Sequence, residues 1–176
     1  IDKPYILYVG LRWGYKNFNT LLSAYSYDKN LNNNYSLICF GGGEFNLSEK
    51  LFIKKNKLGN KVIHLSGSDD LLVSLYKYAD VFVYTSFYEG FGFPPLEAME
   101  CGCPVITGPG GSIKEVLGDS AIYFVTPSFQ PIALALAWPL ALAASGMLRR
   151  SMWQVPQQPF RLAPSTVLAS NIMVSL

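Results

Sequence analysis

Apolar residues recur over the first 125 positions as short continuous runs, separated by segments with helical spacing. Residues 5–9 (YILYV), 36–40 (SLICF), 62–65 (VIHL), 80–84 (DVFVY), 104–107 (PVIT) and 121–125 (AIYFV) have strand length and are rich in β-branched and aromatic side chains. Between them, Phe18, Leu21, Leu22 and Tyr25 mark one face of a helix over 18–27. Residues 46–57 read as a Lys-rich surface helix stopped by Gly59. Residues 69–79 turn Leu72, Leu75, Tyr76 and Ala79 inward, 95–101 form a short helix opened by Pro94-Pro95, and 112–117 form another. Six apolar strands alternating with helices predict an α/β fold: a Rossmann-like parallel sheet flanked by helices on both faces.

The pattern breaks near residue 126. All ten Lys lie at or before Lys114, and all twelve acidic residues at or before Asp119. Eleven basic and twelve acidic residues give positions 1–119 a net charge of −1. Positions 120–176 hold three Arg and no acidic residue, giving +3, and six of the eleven Pro. The predicted division is a domain over 1–126 and a divergent apolar tail over 127–176, helical or partly irregular. Within the tail, 131–148 is an 18-residue uncharged run before Arg149-Arg150. Its length alone permits a membrane helix, but Pro139 in its middle argues for a packed helix pair. Irregular structure is expected beyond 151.

Composition narrows the function classes. A formal net charge of +2 is too small to argue for a nucleic-acid partner. Three Cys (Cys39, Cys101 and Cys103) without Cys-x-x-Cys spacing, and one His (His64) inside a strand, oppose a disulfide framework and a zinc site. The chain opens on Ile1 with a strand almost at once and no signal peptide, so a cytoplasmic, reducing compartment is expected.

In an open parallel sheet, ligands bind beyond the carboxyl ends of the strands. After the first strand comes GLRWGYKN (10–17), in which Arg12 and Lys16 share a Gly-containing loop and Asn17 stands where it caps the next helix. An anion site, most plausibly for phosphate, and a solvated basic loop account for it equally. After the second strand, Gly41-Gly42-Gly43 reads either as a place for close ligand approach or as a strand-to-helix turn. It is neither Gly-x-Gly-x-x-Gly nor a P-loop. After the fourth strand, Glu89, Gly90, Gly92 and Glu97 bring two carboxylates and accessible amides to one sheet edge. Carboxylates suit sugar and ribose hydroxyls, and free amides suit phosphate. Favourable charge at a helix N-terminus would account for Glu97 but not for the arrangement before it. Tyr76, Tyr78 and Tyr84 read as packing.

The run EGFGFPPLE (89–97), continuing AMECGCPVI, resembles the Glu-x7-Glu signature of the family-4 (group 1) retaining glycosyltransferases. LYVGLRWGYKNFNTLLSAY resembles the first strand, basic loop and helix of their C-terminal domain, and VIHLSGSDDLLVSLYKYADVFVYTS the stretch between. The similarity runs from about Pro4 to Phe124. The resemblance implies the C-terminal, donor-binding half of a GT-B architecture and a nucleotide-sugar substrate, a UDP- or GDP-hexose. By position, Arg12 and Lys16 would contact the donor diphosphate in place of a metal, with no further cofactor. Glu89 would hold the hexose hydroxyls, Gly90, Phe91 and Gly92 would present amides, and Glu97 would bind the ribose. Ser68 and Asp70 fall where the family contacts the base; Glu115 matches a family glutamate read here as structural.

Two departures follow. The acceptor-binding N-terminal domain is not in these residues, so this stretch alone is expected to be inactive or nearly so, with any membrane association arising through the acceptor or that domain. Residues 127–176 do not resemble the family's charged ending; a reading-frame change near codon 126, a fusion or an unrelated tail would each produce them. The alternatives to an enzyme half are a non-catalytic nucleotide-sugar-binding or scaffolding module and, less favoured by the Glu-x7-Glu arrangement, a sugar-nucleotide epimerase half.

Overall fold

A computed structural model describes residues 4–126 and 128–144. The expected position of the boundary at Pro127, the Arg149-Arg150 pair and the irregular stretch beyond 151 lie outside the described residues. Six strands form one sheet: β1 (Tyr5–Val9), β2 (Ser36–Phe40), β3 (Val62–Leu65), β4 (Val81–Tyr84), β5 (Val105–Thr107) and β6 (Ile122–Tyr123). All pairings are parallel and the order is β3-β2-β1-β4-β5-β6. The strand order reverses between β1 and β4, the switch point at which a doubly wound sheet opens a ligand crevice.

Alternate residues of each strand feed two separate cores. Ile6 and Tyr8 of β1, Leu37 and Cys39 of β2, and Val81 and Val83 of β4 face one side. There they meet α1 (Phe18–Tyr27), α2 (Lys29–Asn34), α3 (Leu47–Lys55) and α7 (Phe129–Ala144). Tyr5, Leu7, Ile38, Phe40, Phe82 and Tyr84 face the other side, against α4 (Asp69–Tyr78), α5 (Phe93–Glu100) and α6 (Ile113–Leu117). Burial on both faces is why these strands are continuously apolar rather than alternating.

Several elements differ from the prediction. β4 and β5 each begin one residue later, and β6 is confined to two residues. Asp80 serves as an acceptor instead, taking the Tyr5 N–H at 2.9 Å on Oδ2. The helix α2 was not anticipated from its polar KNLNNN sequence; Asp28 starts it by accepting from the N–H groups of Asn30 and Leu31. The helix α5 starts at Phe93, because Gly92 takes a left-handed N-cap conformation (φ 81°) and both prolines fit the first turn. Asn17 does not cap α1 through its side chain. Its backbone is left-handed (φ 55°), closing the 3-10 turn Gly14–Lys16, and its Oδ1 accepts from the Thr20 hydroxyl at 2.5 Å.

The helix α7 runs as one helix through Pro139, where a pair was expected. An interior proline costs about 3 kcal/mol. Ile132, Leu136 and Leu140 are at most 2% exposed in the core they share with α1, and each buried side chain returns about 1.5–3 kcal/mol. Tyr35 adds a hydrogen bond from its hydroxyl to the Leu140 carbonyl (3.0 Å). Leu136→Ala is therefore expected to cost about 2–5 kcal/mol in chemical denaturation. A merely appended segment would lose less than about 0.5 kcal/mol. Among the described residues, no helix is long and apolar enough to cross a membrane.

Candidate functional site

The loops after β1 (10–17) and β4 (85–92) lie side by side at the switch point. The Phe87 N–H donates to the Tyr15 carbonyl (2.8 Å), and the Thr85 hydroxyl donates to the Lys16 carbonyl (2.9 Å). These ties bring together two residues 73 positions apart: Lys16 Nζ donates to Glu89 Oε1 at 2.7 Å. Their side chains are only 16% and 13% exposed, so water screens the pair weakly. The Lys16 ammonium also lies 5.0 Å from the Tyr15 ring centroid and 5.5 Å from that of Tyr84.

Tyr84 does more than pack. Burial pushes its hydroxyl pKa far up, and the charge of Glu89, then a hydrogen bond to it, push it further. The phenol therefore stays protonated beside the Glu89 carboxylate. Its place at the carboxyl end of β4 is the sequence signal that could have marked it. Tyr76 donates its hydroxyl to Glu97 Oε2 at 3.2 Å. Glu97 is 6% exposed and lies beyond the first turn of α5, where the helix dipole contributes little.

A third loop supports the first two. The Ser112 hydroxyl donates to the Gly90 carbonyl, and the Ser112 N–H to that of Glu89 (3.4 Å). Gly110 and Gly111 pass so close that a Cβ would lie 2.0 Å from the Phe87 carbonyl oxygen and 2.2 Å from that of Glu89, respectively. Gly90 and Phe91 are exposed at this edge, whereas Gly92 is buried beneath Ile113. Ser68 accepts from the Leu71 N–H (3.4 Å) as the α4 cap, and Asp70 is exposed nearby. Both lie on the β3 side of the same edge, three strand spacings or roughly 14 Å from β4.

The hydrogen bonds of Arg12 run to α3 and to the turn after β2. Its Nε donates to Glu49 Oε1 (3.2 Å), Nη1 to the Gly41 carbonyl (2.9 Å), and Nη2 to the carbonyls of Gly43 (2.7 Å) and Glu44 (2.8 Å). Glu49 went unnoticed in the sequence because its partner is 37 positions away and its helix is mostly polar. The Asn46-x-x-Glu49 capping box was the available signal. His64 Nε2 lies 3.2 Å from the Gly41 carbonyl, on the same glycine turn. Burial pushes the thiols of Cys39 and Cys101 up, which leaves them protonated and poor nucleophiles.

A six-stranded doubly wound sheet with a cation–carboxylate pair at its switch point defines an α/β domain of the Rossmann-like class. Residues 1–152 match the family described as glycosyl transferases group 1, and the chain belongs to that family. It is 40% identical over 123 residues to an O-antigen chain mannosyltransferase B of Escherichia coli, covering 67% of this chain and 32% of that protein. Two solved structures share the fold at 20% identity over 99% of this chain. One is WaaG, a glycosyltransferase involved in lipopolysaccharide biosynthesis (TM-score 0.76, 47% of its chain); the other is Anabaena HepE in complex with UDP (TM-score 0.74, 50% of its chain). The chain thus spans about a third of the length of the mannosyltransferase and about half of each solved chain.

Proposed function

We propose that this chain is the donor-binding, C-terminal half of a family-4 retaining GT-B glycosyltransferase. It takes part in moving a hexosyl group, mannose being the leading candidate, from UDP- or GDP-hexose to a glycan or lipid-linked acceptor. The observation that carries the reading is the Lys16–Glu89 pair held at the switch point. The ammonium suits a diphosphate, and the adjoining carboxylate suits sugar hydroxyls. The O-antigen mannosyltransferase relative and the UDP complex of HepE support it.

In this reading, Lys16 stabilises the charge that develops on the leaving nucleoside diphosphate, a task other transferases give to a metal. Glu89 orients the hexose, and Gly90 and Phe91 offer backbone N–H groups. Glu97 accepts from the ribose hydroxyls, and Ser68 and Asp70 approach the base. The acceptor pocket belongs to another domain, so this stretch alone binds donor and transfers little.

Calorimetry of the full chain with UDP and GDP tests the reading. One of the two is expected to bind, and Glu97→Gln to weaken it about tenfold through loss of a charged hydrogen bond. Folded protein that binds neither nucleotide overturns it.

A further inference from the structure

We propose that Tyr76 is a positioning residue, whose buried hydroxyl sets the Glu97 carboxylate for the ribose hydroxyls of the nucleotide. This rests on the donor-binding reading above, in which Glu97 accepts from the ribose.

The two residues are 21 positions apart, on α4 and α5, and they meet inside the core. Tyr76 Oη donates to Glu97 Oε2 at 3.2 Å. Tyr76 is 1% exposed and Glu97 6%. Glu100, the other carboxylate of α5, is exposed to water. A buried carboxylate is costly unless it is hydrogen-bonded, so Glu97 needs a donor where Glu100 does not. An ionised carboxylate can only accept, and the phenol supplies the proton. Burial, then the charge of Glu97, push the Tyr76 hydroxyl well above its usual range, so it keeps that proton.

Orientation matters here more than the strength of the bond. The last torsion of a glutamate is broad and roughly two-fold, so packing alone leaves the plane of the carboxylate loosely set. A hydrogen bond from a fixed phenol selects one orientation. The phenol is fixed: its ring meets Phe82 of β4 edge-on, with centroids 5.4 Å apart and planes at 78°. Leu72, Leu75, Ala98 and Met99 share the same core. Side chains on a helix lean toward its N-terminus. The N-terminus of α4 lies at the ligand edge, where Ser68 caps it and Asp70 follows. One helix therefore carries the residues assigned to the base at its start and, about two turns on, the hydroxyl that steadies the ribose carboxylate.

The test is calorimetry of the full chain with UDP and GDP and with their dideoxyribose forms, which lack both ribose hydroxyls. The unmodified chain is expected to prefer the ribose form about tenfold. Tyr76→Phe keeps the ring and removes only the hydroxyl. It should cut that preference about fivefold and leave the affinity for the dideoxyribose form unchanged. Glu97→Gln should abolish the preference, and adding Tyr76→Phe to it should cost nothing further. Leu72→Val thins the same core and removes no polar group; it should lower the denaturation midpoint and keep the preference. The proposal is overturned if Tyr76→Phe weakens both forms equally, keeps the preference, or adds to the effect of Glu97→Gln. Loss of the preference in Leu72→Val as well would mark a packing effect and overturn it too. Nucleotide binding without any preference for ribose removes the role of Glu97, and with it that of Tyr76, while leaving donor binding in place. Binding of neither nucleotide overturns the donor reading itself, and this role falls with it.

Discussion

Glu89→Gln is expected to tighten UDP or GDP binding while Lys16→Ala loosens it, although the two residues form one ion pair. Lys16 Nζ donates to Glu89 Oε1 at 2.7 Å. A diphosphate must compete for that ammonium and enter against the carboxylate's charge. Removing the charge at a weakly screened site is worth about 1–2 kcal/mol, roughly five- to thirtyfold in affinity. Removing the ammonium forfeits a charge-assisted bond of about 1.5–3 kcal/mol, on the order of ten- to hundredfold. The nucleotide-sugar should behave differently from the bare nucleotide: in Glu89→Gln the increment contributed by the hexose should vanish. Calorimetry with UDP, GDP and their hexose forms reads all three effects. A pair that only stiffens the loops would make both variants weaker, and weaker UDP and GDP binding in Glu89→Gln would sink the assignment.

Gly111→Ala is expected to abolish donor binding and destabilise the fold. Its φ of +67° costs a side-chain-bearing residue about 1–2 kcal/mol. Its Cβ would also meet Glu89 backbone atoms, O at 2.2 Å, N at 2.9 Å and C at 3.1 Å. Backbone cannot swing aside as a side-chain tip can, so the 87–90 loop must move, adding about 1–3 kcal/mol of overpacking. Glu89 moves with it. Gly102 is the matched control, with a similar φ of +70° and open space where its Cβ would stand. Gly102→Ala should cost only the conformational strain and leave the nucleotide affinity unchanged. Denaturation midpoints and dissociation constants for the two variants make the comparison, and equal affinities would show that the loop contact does not govern the site.

The parts legible in the sequence were those whose cause is local. Residues 5–9, 36–40 and 62–65 announce buried strands because two covered faces demand unbroken apolar runs. That Lys16 and Glu89 share one edge was readable because both follow strands, whose carboxyl ends a parallel sheet gathers on one side. What escaped depends on distant partners. Arg12 looks like half of a basic loop until the carbonyls of residues 41–44 come round to it. Glu49 looks like surface charge until its helix lies against that loop. Tyr76 and Tyr84 look like packing because the ring dominates the pattern and the carboxylate near each hydroxyl lies elsewhere in the chain. The uninterrupted α7 reflects burial against α1, which a proline rule applied to the segment alone does not weigh.

The ties among the loops after β1, β4 and β5 have a kinetic side. Each loop alone would be expected to fray independently, as surface connections do. Here Tyr15 holds Phe87, Lys16 holds Thr85, and Ser112 holds Glu89 and Gly90. None can open without breaking bonds to another, so three segments far apart in sequence are tied into one unit. Opening of this edge is therefore expected to be a collective event rather than the swing of a single hinge, and amide hydrogen exchange over the three loops should rise and fall together.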